Sequence, residues 1–236
     1  MRVVVTTCEK YHWALMPFSH LFNIYWSNLQ PVTVLTDNEV SDTIKLPENF
    51  EVAVYKYDEK PSQKQWSNML IDYLRDIDDK NIVLMLDDYW LVRTVDHTGI
   101  GTLHEYMQDS DDILRMDLTD DRQYNGEAVN IGHWGHYDLV ETPSESPYQL
   151  SLQVGIWNRK KLLNILRRNI TPWEVELYLA SDTLHGKEGM RVLGTRQCLI
   201  RYANVFVDGN PNKARPDQIE KIPHEHVEEM ERLGYL

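Results

Sequence analysis

The chain has 236 residues, of which 42% are hydrophobic and 26% charged, a mixture that excludes a disordered or low-complexity protein. Lys and Arg number 24 against 37 Asp and Glu, and the resulting formal charge of −13 disfavours general coating of nucleic-acid phosphates. Two cysteines, Cys8 and Cys198, make neither a disulfide framework nor a Cys/His zinc spacing, and no run approaches the ~20 apolar residues of a membrane span.

Val3 to Thr6 reads as a first strand, and the run Val3-Val4-Val5 is too brief for a signal-peptide core, so a soluble cytoplasmic protein is expected. Phe18, Leu21, Phe22, Tyr25, Trp26 and Leu29 fall on one face of a helix. Val32 to Thr36 is a second strand and Glu51 to Tyr57 a third. Ser62 and Gln65 form a capping-box start, after which Trp66, Met69, Leu70, Tyr73, Leu74 and Ile77 make an apolar stripe. Asn81 to Leu86 is uninterrupted and apolar, as in a parallel strand buried on both faces. This alternation is α/β grammar.

Beyond residue 96 a helix is expected at Thr98 to Gln108 and a strand at Ile113 to Met116. Residues 117–149 read as a long polar, aromatic-bearing loop, a candidate lid over the acceptor. A strand at Ser151 to Trp157, a helix at Lys161 to Arg168, a helix opened by Thr171-Pro172-Trp173-Glu174 and a strand at Leu199 to Val207 follow. Two short helical pieces near Pro216 and Pro223 close the chain.

Open parallel sheets bind ligands beyond the carboxyl ends of their strands. Here those ends carry Thr6-Thr7, Asp37 and Asp87-Asp88. Adjacent carboxylates after an apolar run are costly unless exposed, hydrogen-bonded or bound to a cation; alternatively they simply form a turn. Thr6, Thr7 and Asp37 read equally as strand-end caps.

The chain resembles glycosyltransferases and glycosyltransferase-like proteins with the A-type nucleotide-sugar fold. Three segments carry the resemblance: Val3 to Thr7 with Pro17-Phe18 and Leu21 to Trp26; Gln65-Trp66-Ser67 with Leu86-Asp87-Asp88-Tyr89; and Ser151-Leu152-Gln153 with Ile156-Trp157 and Pro172 to Glu176. It implies a single-domain Rossmann-like mixed sheet flanked by helices. Residues 1–96 would form the nucleotide-sugar half, 97–207 the acceptor side and 208–236 a tail.

It further implies a nucleoside diphosphate sugar donor and a divalent cation, Mn²⁺ or Mg²⁺. The family's Asp-x-Asp is replaced by Asp87-Asp88, so Asp88 is assigned to the metal and Asp87 to the metal, its water or the ribose. Thr6, Thr7 and Asp37 would line the base and ribose pocket, with Gln65 and Trp66 as neighbours. Trp66 opens the apolar stripe of its helix, so core packing is its first reading and the pocket its second.

The resemblance also points to Glu174 and Glu176 as bases for the acceptor hydroxyl. Thr171-x-x-Glu174 is at the same time a capping box, which engages Glu174 and lowers its pKa. Trp173 would stack on an acceptor sugar or plug the core.

His133-x-x-His136, His185 and His224-x-His226 form no defensible metal constellation, and Cys8 lacks a partner base. Arg159, Lys160, Lys161, Arg167 and Arg168 read as a solvated helix surface; a grip on a phosphate-bearing acceptor such as modified DNA is the less favoured reading. Two competing functions share this architecture. One is a non-catalytic nucleotide-sugar binder, kept open by the missing Asp-x-Asp. The other is a nucleotidyltransferase, opposed by the lack of a Gly-rich basic loop after the first strand.

Overall fold

The computed structural model describes residues 1–57, 63–124, 128–179, 184, 188–206 and 214–236. The strands are β1 Arg2–Thr6, β2 Val32–Thr36, β3 Phe50–Val54, β4 Asn81–Leu86, β5 Tyr89–Leu91, β6 Ile113–Asp117, β7 Val129–Trp134, β8 Tyr137–Glu141, β9 Gly155–Asn158, β10 Arg191–Thr195 and β11 Tyr202–Asn204. Nine of them form one mixed sheet in the order β3-β2-β1-β4-β9-β6-β10-β8-β7, and β11 and β5 form a separate two-stranded ribbon.

β3, β2, β1 and β4 are mutually parallel. β9 is inserted antiparallel between β4 and β6, which places the chain's two halves in one sheet. The fold is therefore a Rossmann-like mixed sheet flanked by helices, as the sequence pattern predicts.

Alternation along each inner strand divides the core into two layers. Val3, Val5, Val34, Val83 and Met85 point to one face, packed by the helix Leu15–Phe22 and the helix His97–Gln108. Val4, Leu35, Ile82 and Leu84 point to the other, packed by the helix Gln65–Asp76 and the helix Arg159–Ile165. Each such side chain contributes ~1.5–3 kcal/mol by leaving water. A strand buried on both faces needs the near-continuous apolar run that Asn81 to Leu86 supplies.

Several expectations are corrected. The first helix widens into a π-helical turn at Asn23–Ser27 and then stops, so Leu29 lies outside the stripe and is 85% exposed. Residues 117–149 are not one loop: they hold the short helix Asp121–Tyr124 and the hairpin β7–β8. That hairpin closes the far edge of the sheet, with Gly135 at φ +58° in its turn, so His133 belongs to a strand. β10, which the sequence pattern misses, pairs with β6 and β8.

The predicted strand at Ser151 begins only at Gly155, and the late strand shortens to Tyr202–Asn204. Gly155 is required where it stands. A Cβ there would meet the Met116 carbonyl at 3.0 Å and Arg115 Nε at 3.1 Å. The end helices lie at Pro216–Ile219 and His224–Arg232. No helix among the described residues is long and apolar enough to cross a membrane.

Candidate active site

A cleft of about 530 Å³ opens at the carboxyl ends of β1, β2 and β4. It brings together Thr6, Thr7, Asp37, Trp66, Asp87, Asp88 and Glu176 from the sequence reading. Gln65 is buried at the start of its helix and does not line the cleft; its proposed partner Ser62 lies outside the described residues. Glu174 is also absent from the lining.

The β1 and β4 ends are tied to each other. Thr7 Oγ1 donates to Asp87 Oδ2 at 2.5 Å, and the Asp87 amide donates to the Thr6 carbonyl at 3.3 Å. Trp66 Nε1–H donates to Thr6 Oγ1 at 2.9 Å, so this indole both packs and orients a strand-end hydroxyl. Asp37 accepts the Glu9 amide at 2.9 Å, capping the 3-10 helix Glu9–Ala14 while facing the cleft. Strand-end capping and pocket lining coincide in that residue.

Burial pushes the Asp87 carboxyl up to about 7, against the opposing Thr7 hydrogen bond. Asp88 is raised well above the carboxylate range by burial first, then by the charges of Asp87 and Glu176. Asp88 Oδ1 is enclosed and has no hydrogen-bond partner. With the Asn204 amide turned to donate, its nitrogen lies 3.1 Å from Asp88 Oδ2 and 3.0 Å from the Phe206 carbonyl. The Val205 amide donates to the Asp88 carbonyl at 3.0 Å. The β5–β11 ribbon thus fixes Asp88 from both main chain and side chain.

The two glutamates separate cleanly. Thr171 Oγ1 accepts the Glu174 amide at 3.1 Å, and Glu174 Oε2 accepts the Thr171 amide at 2.7 Å, with Pro172 at the first helical position. Those hydrogen bonds lower the Glu174 pKa, so the capping box holds and the residue is a poor base. The helix then widens into the π-helical turn Val175–Leu179, a distortion common at functional sites. Glu176 in that turn faces the cleft. Burial raises its pKa, while the Leu152 amide donating to Oε1 at 2.6 Å opposes the shift.

A buried network runs through Gln153, the residue after Leu152. Arg115 Nη2 donates to Asp117 Oδ1 at 3.2 Å and to the Gln153 carbonyl at 3.0 Å, and Tyr202 OH donates to Gln153 Oε1 at 2.7 Å. Tyr202 packs on Tyr89 with ring centroids 4.3 Å apart.

Sequence reasoning missed Lys10, Tyr11, Gln63, Asn204 and Phe206 as lining residues. Tyr11 stacks on Phe206 at 4.6 Å, and Lys10 Nζ lies 4.5 Å from the Tyr11 ring centre. Their only sequence signal is position: Lys10 and Tyr11 shortly after β1, Gln63 before the helix Gln65–Asp76, Asn204 and Phe206 at and just after the end of β11. Cys8 lines the cleft, but burial and the nearby aspartates push its thiol up to about 12, so it is no nucleophile there.

None of the described residues of 117–149 lines the cleft. Most of the basic cluster is engaged in structure. Arg159 donates to the carbonyls of Asp79 and Leu74, Lys161 to that of Gly189, and Arg168 pairs with Asp72. His185 lies outside the described residues.

The fold has relatives among solved structures. CMP:2-keto-3-deoxy-manno-octonic acid synthetase, complexed with CTP, superposes with a TM-score of 0.53 over 98% of this chain and 98% of its own, at 12% identity. The two chains share a fold. S. aureus TarS aligns at TM-score 0.49 and 14% identity, over 85% of this chain and 36% of its own. The bifunctional IspDF from Campylobacter jejuni aligns at 0.43 and 14% identity, over 94% of this chain and 54% of its own. This chain thus spans about half the length of IspDF and little more than a third of that TarS structure. No protein-family model matches the sequence, and no curated protein matches it.

Proposed function

We propose that the cleft is the donor site of a glycosyltransferase that uses a nucleoside diphosphate sugar and a divalent cation. The observation that carries this reading is the convergence of the Asp87-Asp88 pair and Glu176 on one cleft at the carboxyl end of the sheet. Thr6, Thr7 and Asp37 would receive the nucleoside, with Trp66 holding the Thr6 hydroxyl in place.

Among the described residues no group of three or more His, Cys, Asp or Glu is arranged to hold a metal ion. The aspartate pair nevertheless fits Mg²⁺ or Mn²⁺, which take one or two carboxylates and complete their shell with phosphate oxygens and water. The enclosed, unpartnered Asp88 Oδ1 is a group that a cation would satisfy. Asp88 would be the direct ligand and Asp87 would bind the cation, its water or the ribose. When bound, the cation supplies Lewis-acid neutralisation of the diphosphate leaving group.

Glu176 acts as the base. The Leu152 amide fixes Oε1, leaving Oε2 to accept the acceptor's hydroxyl proton as the hydroxyl oxygen attacks the anomeric carbon and the bond to the diphosphate breaks. Its raised pKa improves it as a proton acceptor.

Nucleotidyl transfer is the second reading, and the fold comparison supports it, since the synthetase superposes over nearly the whole of both chains at a TM-score of 0.53. Among the described residues the lining offers Lys10 as its one Lys or Arg, so either donor would need a cation to offset its phosphates, a triphosphate more than a diphosphate.

Calorimetric titration with nucleoside diphosphates, nucleotide sugars and nucleoside triphosphates, with and without Mn²⁺, tests both readings on the natural chain and on Asp88→Ala. Mn²⁺-dependent binding of a nucleotide sugar, lost in the variant, is the expected result. Preference for a triphosphate transfers the assignment to the second reading. No binding by any of them overturns both.

A further inference from the structure

The indole of Trp173 is 44% exposed, although tryptophan is among the side chains most buried on average. It lines the cleft, and Glu176, three residues on, faces the same cleft. The backbone beneath the ring is fixed by Pro172 and the Thr171–Glu174 capping box, so little ordering is needed when a ligand covers it.

The charges around this ledge are acidic. Asp87, Asp88, Glu176, Asp37 and Glu9 face the cleft, and Arg159, Lys161 and Arg168 of the basic cluster are held by other partners. A polyanionic acceptor would add its phosphates to those of the donor in a cleft whose described lining holds one Lys and no Arg. A sugar ring would not. One face of a pyranose presents C–H groups, which complement the electron-rich face of an indole, and its rim presents hydroxyls for a carboxylate to accept.

We propose that the acceptor is a neutral glycan, one sugar ring of which stacks on Trp173 and presents a hydroxyl to Glu176. This assignment rests on the glycosyl-transfer reading and names its acceptor class. It places the aromatic platform and the base three residues apart on one capped turn, so that stacking and deprotonation share one rigid support.

The test uses the full chain and its Trp173→Ala and Trp173→Phe variants, with saturation-transfer NMR and calorimetry. The probes are maltotriose, cellotriose and chitotriose, set against a short single-stranded oligothymidine, because nucleobases also stack on indoles. At least one trisaccharide is expected to bind, about tenfold more weakly in Trp173→Ala and nearly unchanged in Trp173→Phe. A common denaturation midpoint in all three proteins would show that the loss is local. Binding of none of the trisaccharides, indifference to Trp173→Ala, or tighter binding of the oligothymidine each overturns the proposal.

Nucleotide titration of the same samples separates the two levels. Loss of sugar binding with nucleotide binding intact refutes the acceptor class alone. Trp173-dependent sugar binding without any nucleotide binding refutes glycosyl transfer and leaves a carbohydrate site.

Discussion

Replacing Asp87 by Asn should make the metal-free protein more stable at alkaline pH. The Asp87 carboxyl is buried and titrates at about 7, against 3.8 when unperturbed. Between those values the folded chain holds a proton that the unfolded chain has released, so stability falls as pH rises from about 4 through 7. A shift of about 3 units at ~1.4 kcal/mol each puts the loss near 4 kcal/mol above pH 8. Asn carries no such proton and can still accept the Thr7 hydroxyl.

Urea unfolding in chelator from pH 4.5 to 8.5 measures the difference directly. The two proteins should converge at the acid end and diverge by up to ~4 kcal/mol at the alkaline end, Asp87→Asn the more stable. Mn²⁺ should narrow that gap by stabilising the natural chain more than the variant. Parallel pH profiles, or a variant less stable at pH 8.5, would refute the claim that Asp87 is ionised at a cost in the folded state.

Glu176→Gln should lower turnover by ~10²–10⁴ while leaving donor affinity nearly unchanged, which separate kcat and calorimetric measurements will read. The raised pKa of Glu176 predicts that activity falls off on the acid side above the usual glutamate value, and Gln should erase that limb from the pH–rate profile. Thr171→Ala removes one half of the capping box and should cost ~1 kcal/mol in urea unfolding. Cys8, with its thiol at about 12, should react with iodoacetamide at pH 8.5 far more slowly in the native protein than in urea.

The first part of the sheet was legible because β1, β2 and β4 are buried on both faces. Val32–Thr36 and Asn81–Leu86 occupy the spans that their apolar runs mark. β7 was illegible for the opposite reason. Its residues are mostly exposed at the sheet edge, so no face required an apolar alternation. β10 matches β2 in length, but Arg191 and Gly194 interrupt its run, so it lacks the continuous apolar and β-branched signal of Val32–Thr36. In the site, strand-end position was enough to find Thr6, Thr7, Asp37, Asp87 and Asp88, and the capping box was enough to weaken Glu174. Tyr11, Asn204 and Phe206 were hidden because only tertiary packing of the β5–β11 ribbon and the first 3-10 helix brings them there.

The β5–β11 ribbon also sets a schedule for assembly. β1 to β4 are complete by residue 86, and their pairing is short-range enough to begin while the ribosome is still adding residues. Asp88 receives its Asn204 amide and the Val205 N–H only after roughly half the chain more has been made. A nascent chain therefore carries the floor of the cleft before it carries a fixed Asp88. The side chain and carbonyl of Asp88 are thus held only once synthesis has passed Val205, which makes this residue the last part of the cleft floor to be set.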